Sequence, residues 1–277
     1  MRPRPIGLVA ARELREAMRS RWFALAAACF LVLSLGLSML GLAGARRSGL
    51  AGFDRTTASL LNLALVFVPL VTLSLGGLGI AGELEDQSLA MLLAQPITRL
   101  EAYAGKYLGL LASVSASVLL GFGATGMIVG VTVGGGHLGV FLALVGLTLL
   151  LGAATLALGT LLSVALRSRA RVIGAAFSVW LVLVYVSDLG TIGLAIARSL
   201  GPAQVFILAL LNPVEQARVL GTLALSDRLD VLGPVGLFGL DRLGAAGLAG
   251  LLVAVLVAAT AVPLGAGYAL FRRTPVP

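Results

Sequence analysis

The sequence predicts an all-α polytopic membrane protein with six transmembrane helices and both termini in the cytoplasm. Three observations lead there. Of 277 residues, 59% are hydrophobic and 12% charged, against about 45–50% apolar and about 25% charged in soluble globular chains. Mean hydropathy is +1.05. The few charges are separated by long charge-free intervals, and a helix crossing a bilayer needs about 20 apolar residues. This composition excludes a soluble enzyme, and six spans leave room for loops only.

Residues 1–21 place Ile6, Val9, Leu14, Ala17 and Met18 roughly on one side and arginines on the other. That predicts a cytoplasmic interfacial helix in the inner headgroup layer, with a basic flank that merely sets orientation as the plainer alternative. From Arg21 to Arg46 lie 24 uncharged residues, too many for a signal-peptide core. Ala43-Gly44-Ala45 is therefore not expected to be cleaved. A second interval of 27 residues separates Arg55 from Glu83, and 60 residues separate Lys106 from Arg167. The latter is broken by Gly134-Gly135-Gly136-His137, a turn signal, and reads as a helical hairpin. An apolar run after Arg171 and a last one from Leu243 to Leu270 complete the set. The transmembrane domain is thus 22–277, with spans near 22–43, 57–80, 107–131, 140–165, 172–195 and 245–270. Pro69 and Pro263 fall inside spans two and six, where they predict kinks.

The segment 197–244 faces outward in this topology. Within it, 199–214 is apolar but short for a span and ends in Asn212-Pro213, the pattern of an interfacial or re-entrant piece. With six spans the inner segments hold thirteen basic and six acidic residues, the outer ones seven and six. The net +8 is therefore an orientation bias of the positive-inside kind, and no nucleic-acid partner is expected.

The densest polar segment on the inner side is 82–101. Glu83, Glu85 and Asp86 read as the first turn of a helix over 83–95, where carboxylates suit the positive dipole end. Leu84, Leu89, Leu92 and Leu93 give it an apolar face, and Gln95-Pro96 ends it. Thr98 and Glu101 form a capping box that starts the next helix. Such an amphipathic helix between two spans either presses into a partner or lies on its own bundle. The residues alone favour neither.

The tract Gly82–Lys106, an acidic turn followed by Leu92-Leu93-Ala94-Gln95-Pro96-Ile97-Thr98-Arg99 and Gly105-Lys106, resembles the signature of ABC-2 type permeases. The resemblance implies the ABC-2 (type V) permease fold in a bacterial inner membrane. It also implies that 83–95 is the coupling helix, with Glu83 through Pro96 contacting an ATPase. A second copy of this chain and two ATPase copies complete the assembly. No phosphate-binding loop G-x-x-x-x-G-K-[ST] occurs, so this chain is expected to be non-catalytic and without a cofactor, ATP and Mg being bound by the ATPase subunit. A narrower resemblance is to the NosY group, membrane subunits of copper-processing transporters that support nitrous oxide reductase maturation in denitrification. It rests on Asp188, on Leu211-Asn212-Pro213-Val214-Glu215 with Arg218, and on the run from Leu232 to Asp241-Arg242. It implies a NosF-like ATPase, a NosD-like periplasmic β-helix partner and a NosL-like copper lipoprotein. Asp188, Asn212, Pro213, Glu215, Arg218, Asp241 and Arg242 would then serve that partner or an outer gate.

Span three carries Gly105, Gly109, Ser113, Ser117, Gly121 and Thr125 at four-residue intervals. Such a small-residue face admits another helix closely, either in the same subunit or across a dimer. Asp188 is the one acid expected inside a span, with capping or a contact to Arg198 as the plainer role. Cys29, Met39, Met91, Met127 and His137 lack ligand spacing, so no metal site is expected here. The rival functions are export of a lipid, drug or peptide by another ABC-2 protein, and ion-driven secondary transport. The latter usually needs several intramembrane acids.

Overall fold

The computed structural model describes residues 3–48, 52–133, 138–186, 201–225 and 233–273, and every regular element among them is a helix. In chain order these are α1 (Pro3–Arg19), α2 (Arg21–Ser48), α3 (Gly52–Glu85), α4 (Ser88–Leu93), α5 (Arg99–Val133), α6 (Leu138–Leu166) and α7 (Arg169–Leu181). A π turn over Val182–Val186 prolongs α7. There follow α8 (Pro202–Leu210), α9 (Pro213–Leu225) and α10 (Gly233–Arg273). Six helices are long and apolar enough to cross a membrane: α2, α3, α5, α6, α7 with its π turn, and α10.

The inner pair is α3 and α6. A Cβ on Gly76 would lie 2.6 Å from the Leu156 carbonyl oxygen, and one on Gly159 would lie 2.6 Å from that of Leu73. The two backbones therefore touch, which only glycine permits on both sides. Thr72 and Thr155 face each other across the same seam, with hydroxyl oxygens 2.6 Å apart. Near its lower end, Ser163 Oγ accepts from the backbone N–H groups of Ile80 and Ala81 at 3.1 and 2.7 Å. The hydroxyls of Thr72, Thr155 and Ser163 thus find partners along this apolar seam, as polar groups must where water is absent.

Against this pair, Phe30 of α2 packs edge-on to Phe122 of α5 at 5.3 Å, and Phe122 in turn meets Phe141 of α6. Pro69 and Pro263 both lie within helices. The sharper interruption is Gly244 in α10, whose φ of 68° is left-handed backbone suited to glycine. It separates the short first piece with Asp241 and Arg242 from the apolar piece that follows.

The first and last described helices reach the same end of the bundle. Val9 of α1 lies against Gly105 of α5, while Arg99 donates to the carbonyls of Phe271 and Arg272 at 3.1 and 3.3 Å. At the opposite end, the described part of 199–214, from Gly201 on, is not one segment. Within it α8 stops at Leu210, and Asn212-Pro213 begins the next helix instead of ending the apolar piece. The two short helices pack on α6 and α10 through Phe206, Val219, Leu220 and Leu248.

Candidate functional site

The turn joining α3, α4 and α5 is built differently from the expectation of one helix over 83–95. The span helix α3 runs on to Glu85, so Glu83 and Glu85 occupy its last turn and not the first turn of a coupling helix. Gln87 takes left-handed backbone (φ 59°) and breaks the chain direction, leaving only Ser88–Leu93 for α4. The capping box is present: Thr98 N donates to Glu101 Oε2 at 2.8 Å and Glu101 N to Thr98 Oγ1 at 3.2 Å.

Carboxylates at a helix C-terminus oppose its dipole, so cations must answer them. Arg169, the first residue of α7, does so for the outer two. Its backbone N–H donates to Glu85 Oε1 at 2.9 Å, and its guanidinium pairs with Asp86 and reaches the Gly82 carbonyl at 3.4 Å. Lys106 answers Glu83. This lysine, the only one in the chain, is 1% exposed. Its Nζ donates to Glu83 Oε1 at 2.9 Å, Glu13 Oε2 at 2.9 Å and the Gly79 carbonyl at 3.2 Å. An ammonium has three protons, and all three are used. One side chain thus joins α1, α3 and α5.

Glu13 escaped the sequence reading because it sits among arginines. Its signal was present in the spacing, since Val9, Glu13 and Ala17 recur every four residues. All three are buried against α5, whereas Met18 is exposed. The apolar side assigned to α1 therefore faces protein in part, with a carboxylate at its centre. Burial pushes the Glu13 carboxyl above the usual range, and Lys106 opposes that shift. Beside the cluster opens a crevice of about 400 Å³, bordered by Arg12, Glu16, Ser20, Asp86, Ser88 and Arg169.

The exposed edge of the turn is also corrected. Leu89 and Leu92 point inward, fully buried with Ile80, Ala102, Tyr103 and Phe271, and Leu84 and Leu93 are half-buried beside them. Outward stand Glu85, Asp86, Gln87, Met91, Ala94, Gln95 and Pro96. Met91 is 76% exposed. The leucines anchor α4, and the methionine is the apolar group presented.

The small-residue face of α5 is occupied within the subunit. A Cβ at Gly105 would meet Val9 at 2.7 Å, one at Gly109 would meet the Ala10 carbonyl oxygen at 2.6 Å, and one at Gly121 would meet the Phe30 ring at 2.6 Å. Ser113 and Thr125 are buried and bond back to Gly109 and Gly121, while Ser117 is half-buried and bonds Ser113.

The outer candidates do not converge. Asn212 caps α9 by accepting from Val214 N at 2.9 Å, and its Nδ2 donates to the Leu183 carbonyl of the π turn at 2.7 Å. Pro213 is buried next to it. Glu215 and Arg218 pair with each other at 2.6 Å. Asp241 stands in a different helix, α10, where Arg242 lies over the Phe238 ring at 5.5 Å. Asp188, Arg198 and His137 lie outside the described residues. Cys29 and Met39 of α2, Met91 of α4 and Met127 of α5 are each exposed.

Residues 8–276 match the profile of ABC-2 family transporter proteins. The chain is 30% identical over 284 residues to a Pseudomonas aeruginosa protein named "Probable ABC transporter permease protein NosY", covering 97% of this chain and 98% of that one. It is 31% identical over 271 residues to a protein of the same name from Stutzerimonas stutzeri, covering 96% and 97%. With a family match over almost its whole length and six helices of membrane-crossing length, the chain belongs to the ABC-2 family transporter proteins, as a multi-pass permease subunit of an ABC transporter.

Proposed function

We propose that this permease works as a homodimer with two NosF-like ATPase subunits, which dock on the exposed edge Glu85–Pro96 at the cytoplasmic end. One observation carries this reading: α4 is anchored inward by Leu89 and Leu92 while presenting Met91, and the adjoining end of α3 is tied to α1 and α5 through Lys106. A push on α4 is thereby delivered to three helices together. The chain lacks a phosphate-binding loop, so ATP and Mg belong to the docking subunit. The positive-inside bias supports both termini lying in the cytoplasm of an inner-membrane protein, and the exposed arginines 12, 15 and 19 of α1 then face the headgroups.

The resemblance to the NosY group suggests a role in copper-site maturation of nitrous oxide reductase, with α8 and α9 as the platform for a NosD-like periplasmic partner and a NosL-like lipoprotein nearby. The second reading, export of a lipid or other apolar cargo, is favoured by a cavity of about 360 Å³ between α6, α9 and α10, lined by Leu144, Leu147, Leu220, Gly221, Leu225 and Val253. Co-purification decides the docking role: Met91→Asp and Gln95→Arg should abolish capture of the ATPase subunit while the chain still inserts and folds. Unchanged capture and unchanged stimulated ATP hydrolysis would sink it.

A further inference from the structure

Three carboxylates converge where α1 meets the end of α3. One oxygen each of Glu13, Glu16 and Glu83 lies within 4.8 Å of the others. Two cations answer them: Lys106 bonds Glu13 and Glu83, and Arg12 Nε bonds Glu16 at 2.7 Å. From the remaining packed elements, Asp86 of the α3–α4 turn and Arg169 of α7 reach the crevice rim, and they pair with each other. The cluster itself thus holds three negative and two positive groups. Lys106 and Glu13 at its centre are both buried, and Glu13 and Glu83 border the crevice. Carboxylates crowded in such a place relieve their excess charge by binding a proton. A second observation agrees. Glu83 Oε2 is buried without a hydrogen-bond partner, so an acceptor stands beside a group able to carry a proton.

We propose that Glu13, Lys106 and Glu83 form a proton-dependent latch, in which seating α1 against α3 and α5 takes up one proton on a Glu13 carboxyl oxygen and release of α1 gives it back. The O–H bond is the only covalent bond made or broken, and the proton exchanges with water through the crevice. Lys106 keeps Glu83 and the Gly79 carbonyl in both states and gives up Glu13 when α1 leaves. Burial raises the Glu13 carboxyl when α1 is seated, and exposure returns it to the ordinary range. A group raised in this way stabilises the seated state in acid, and that contribution fades as pH rises through its seated value. Acid therefore closes the latch and alkali loosens it.

The test uses the full chain in lipid nanodiscs without any ATPase, so it stands apart from the docking role. Hydrogen exchange of the α1 peptide is followed from about pH 5 to about pH 8, a window above the ~4.3 of a free glutamate, with intrinsic exchange rates divided out. The infrared band of protonated carboxyl groups is recorded in parallel. Expected is a several-fold rise in α1 protection toward acid, and a carboxyl band that Glu13→Gln removes together with the pH dependence. Glu16→Gln keeps the band but shifts its appearance to lower pH, because one neighbouring negative charge is gone. Protection that is flat or falls toward acid in the unmodified chain overturns the proposal, whatever the variants do. So does a band that Glu13→Gln leaves intact.

Discussion

The carboxylate of Glu85 and the backbone N–H of Arg169 meet at 2.9 Å, so the last residue of one span helix caps the first turn of another. The contact turns an unfavourable position into a useful one. A carboxylate at the C-terminus of α3 opposes that helix's dipole, yet the same group lies at the N-terminus of α7, where the dipole attracts it. The two spans are fastened where α3 gives way to α4.

Glu85→Ala should therefore destabilise the start of α7 by about 1 kcal/mol, the ordinary size of a lost N-terminal cap. Arg169→Ala should cost less, since exposed ion pairs contribute about 0.2–1 kcal/mol. Thermal unfolding in detergent micelles orders the two, and a larger loss from the arginine would contradict the capping role.

Lys106→Met strands Glu13 and Glu83 without a cation. Removing one partner of a buried pair costs about 3–5 kcal/mol, so apparent stability should fall by that order. Adding Glu13→Gln to the same chain should recover part of the loss. Two independent, additive losses in the double variant would mean that the groups do not interact.

Leu92→Ala and Met91→Ala, one residue apart, should behave oppositely. The first opens a cavity beneath α4 and costs about 2–5 kcal/mol through the fold. The second leaves stability unchanged and weakens ATPase capture by about tenfold, equivalent to ~1.4 kcal/mol. Equal thermal midpoints for the two variants would refute the inward anchoring of Leu92.

Much of this was legible in the residues. Charge-free intervals located six apolar helices because burying a charge in hydrocarbon is so costly that intervals and spans nearly coincide. Thr98 and Glu101 announced their own helix start because a capping box is a local bond pattern. The acidic turn was misplaced for the opposite reason. Whether a helix stops before or after Glu83 depends on the left-handed Gln87 and on cations from α5 and α7, which are distant in sequence. Leu89 and Leu92 were recognisable as one apolar face, but periodicity says nothing about which surface that face meets. Glu13 was missed because a buried acid among arginines looks like a solvated one until its lysine is found ninety-three positions away.

Asn212→Ala should loosen both the α9 cap and its tie to the π turn, whereas Asn212→Asp keeps the cap and loses only the donor to Leu183. Spin labels at Leu181 and Leu211 would read the difference as a broader distance distribution in each variant. A distribution broadened by alanine and left narrow by aspartate would show that the cap alone matters.

The backbone contact between Gly76 and Gly159 also limits how the molecule can work. Helices separated by side chains can slide, since rotamers adjust one at a time. Here each glycine sits against the other helix's carbonyl, with Thr72–Thr155 above and Ser163 clasping Ile80 and Ala81 below, so sliding would break all three fastenings at once. The two helices must swing as a single lever whose short arm ends in α4. Any rearrangement that opens or closes this permease then falls to the flanking helices α2 and α10, and to α7 pivoting about its fastening at Glu85, against a rigid beam.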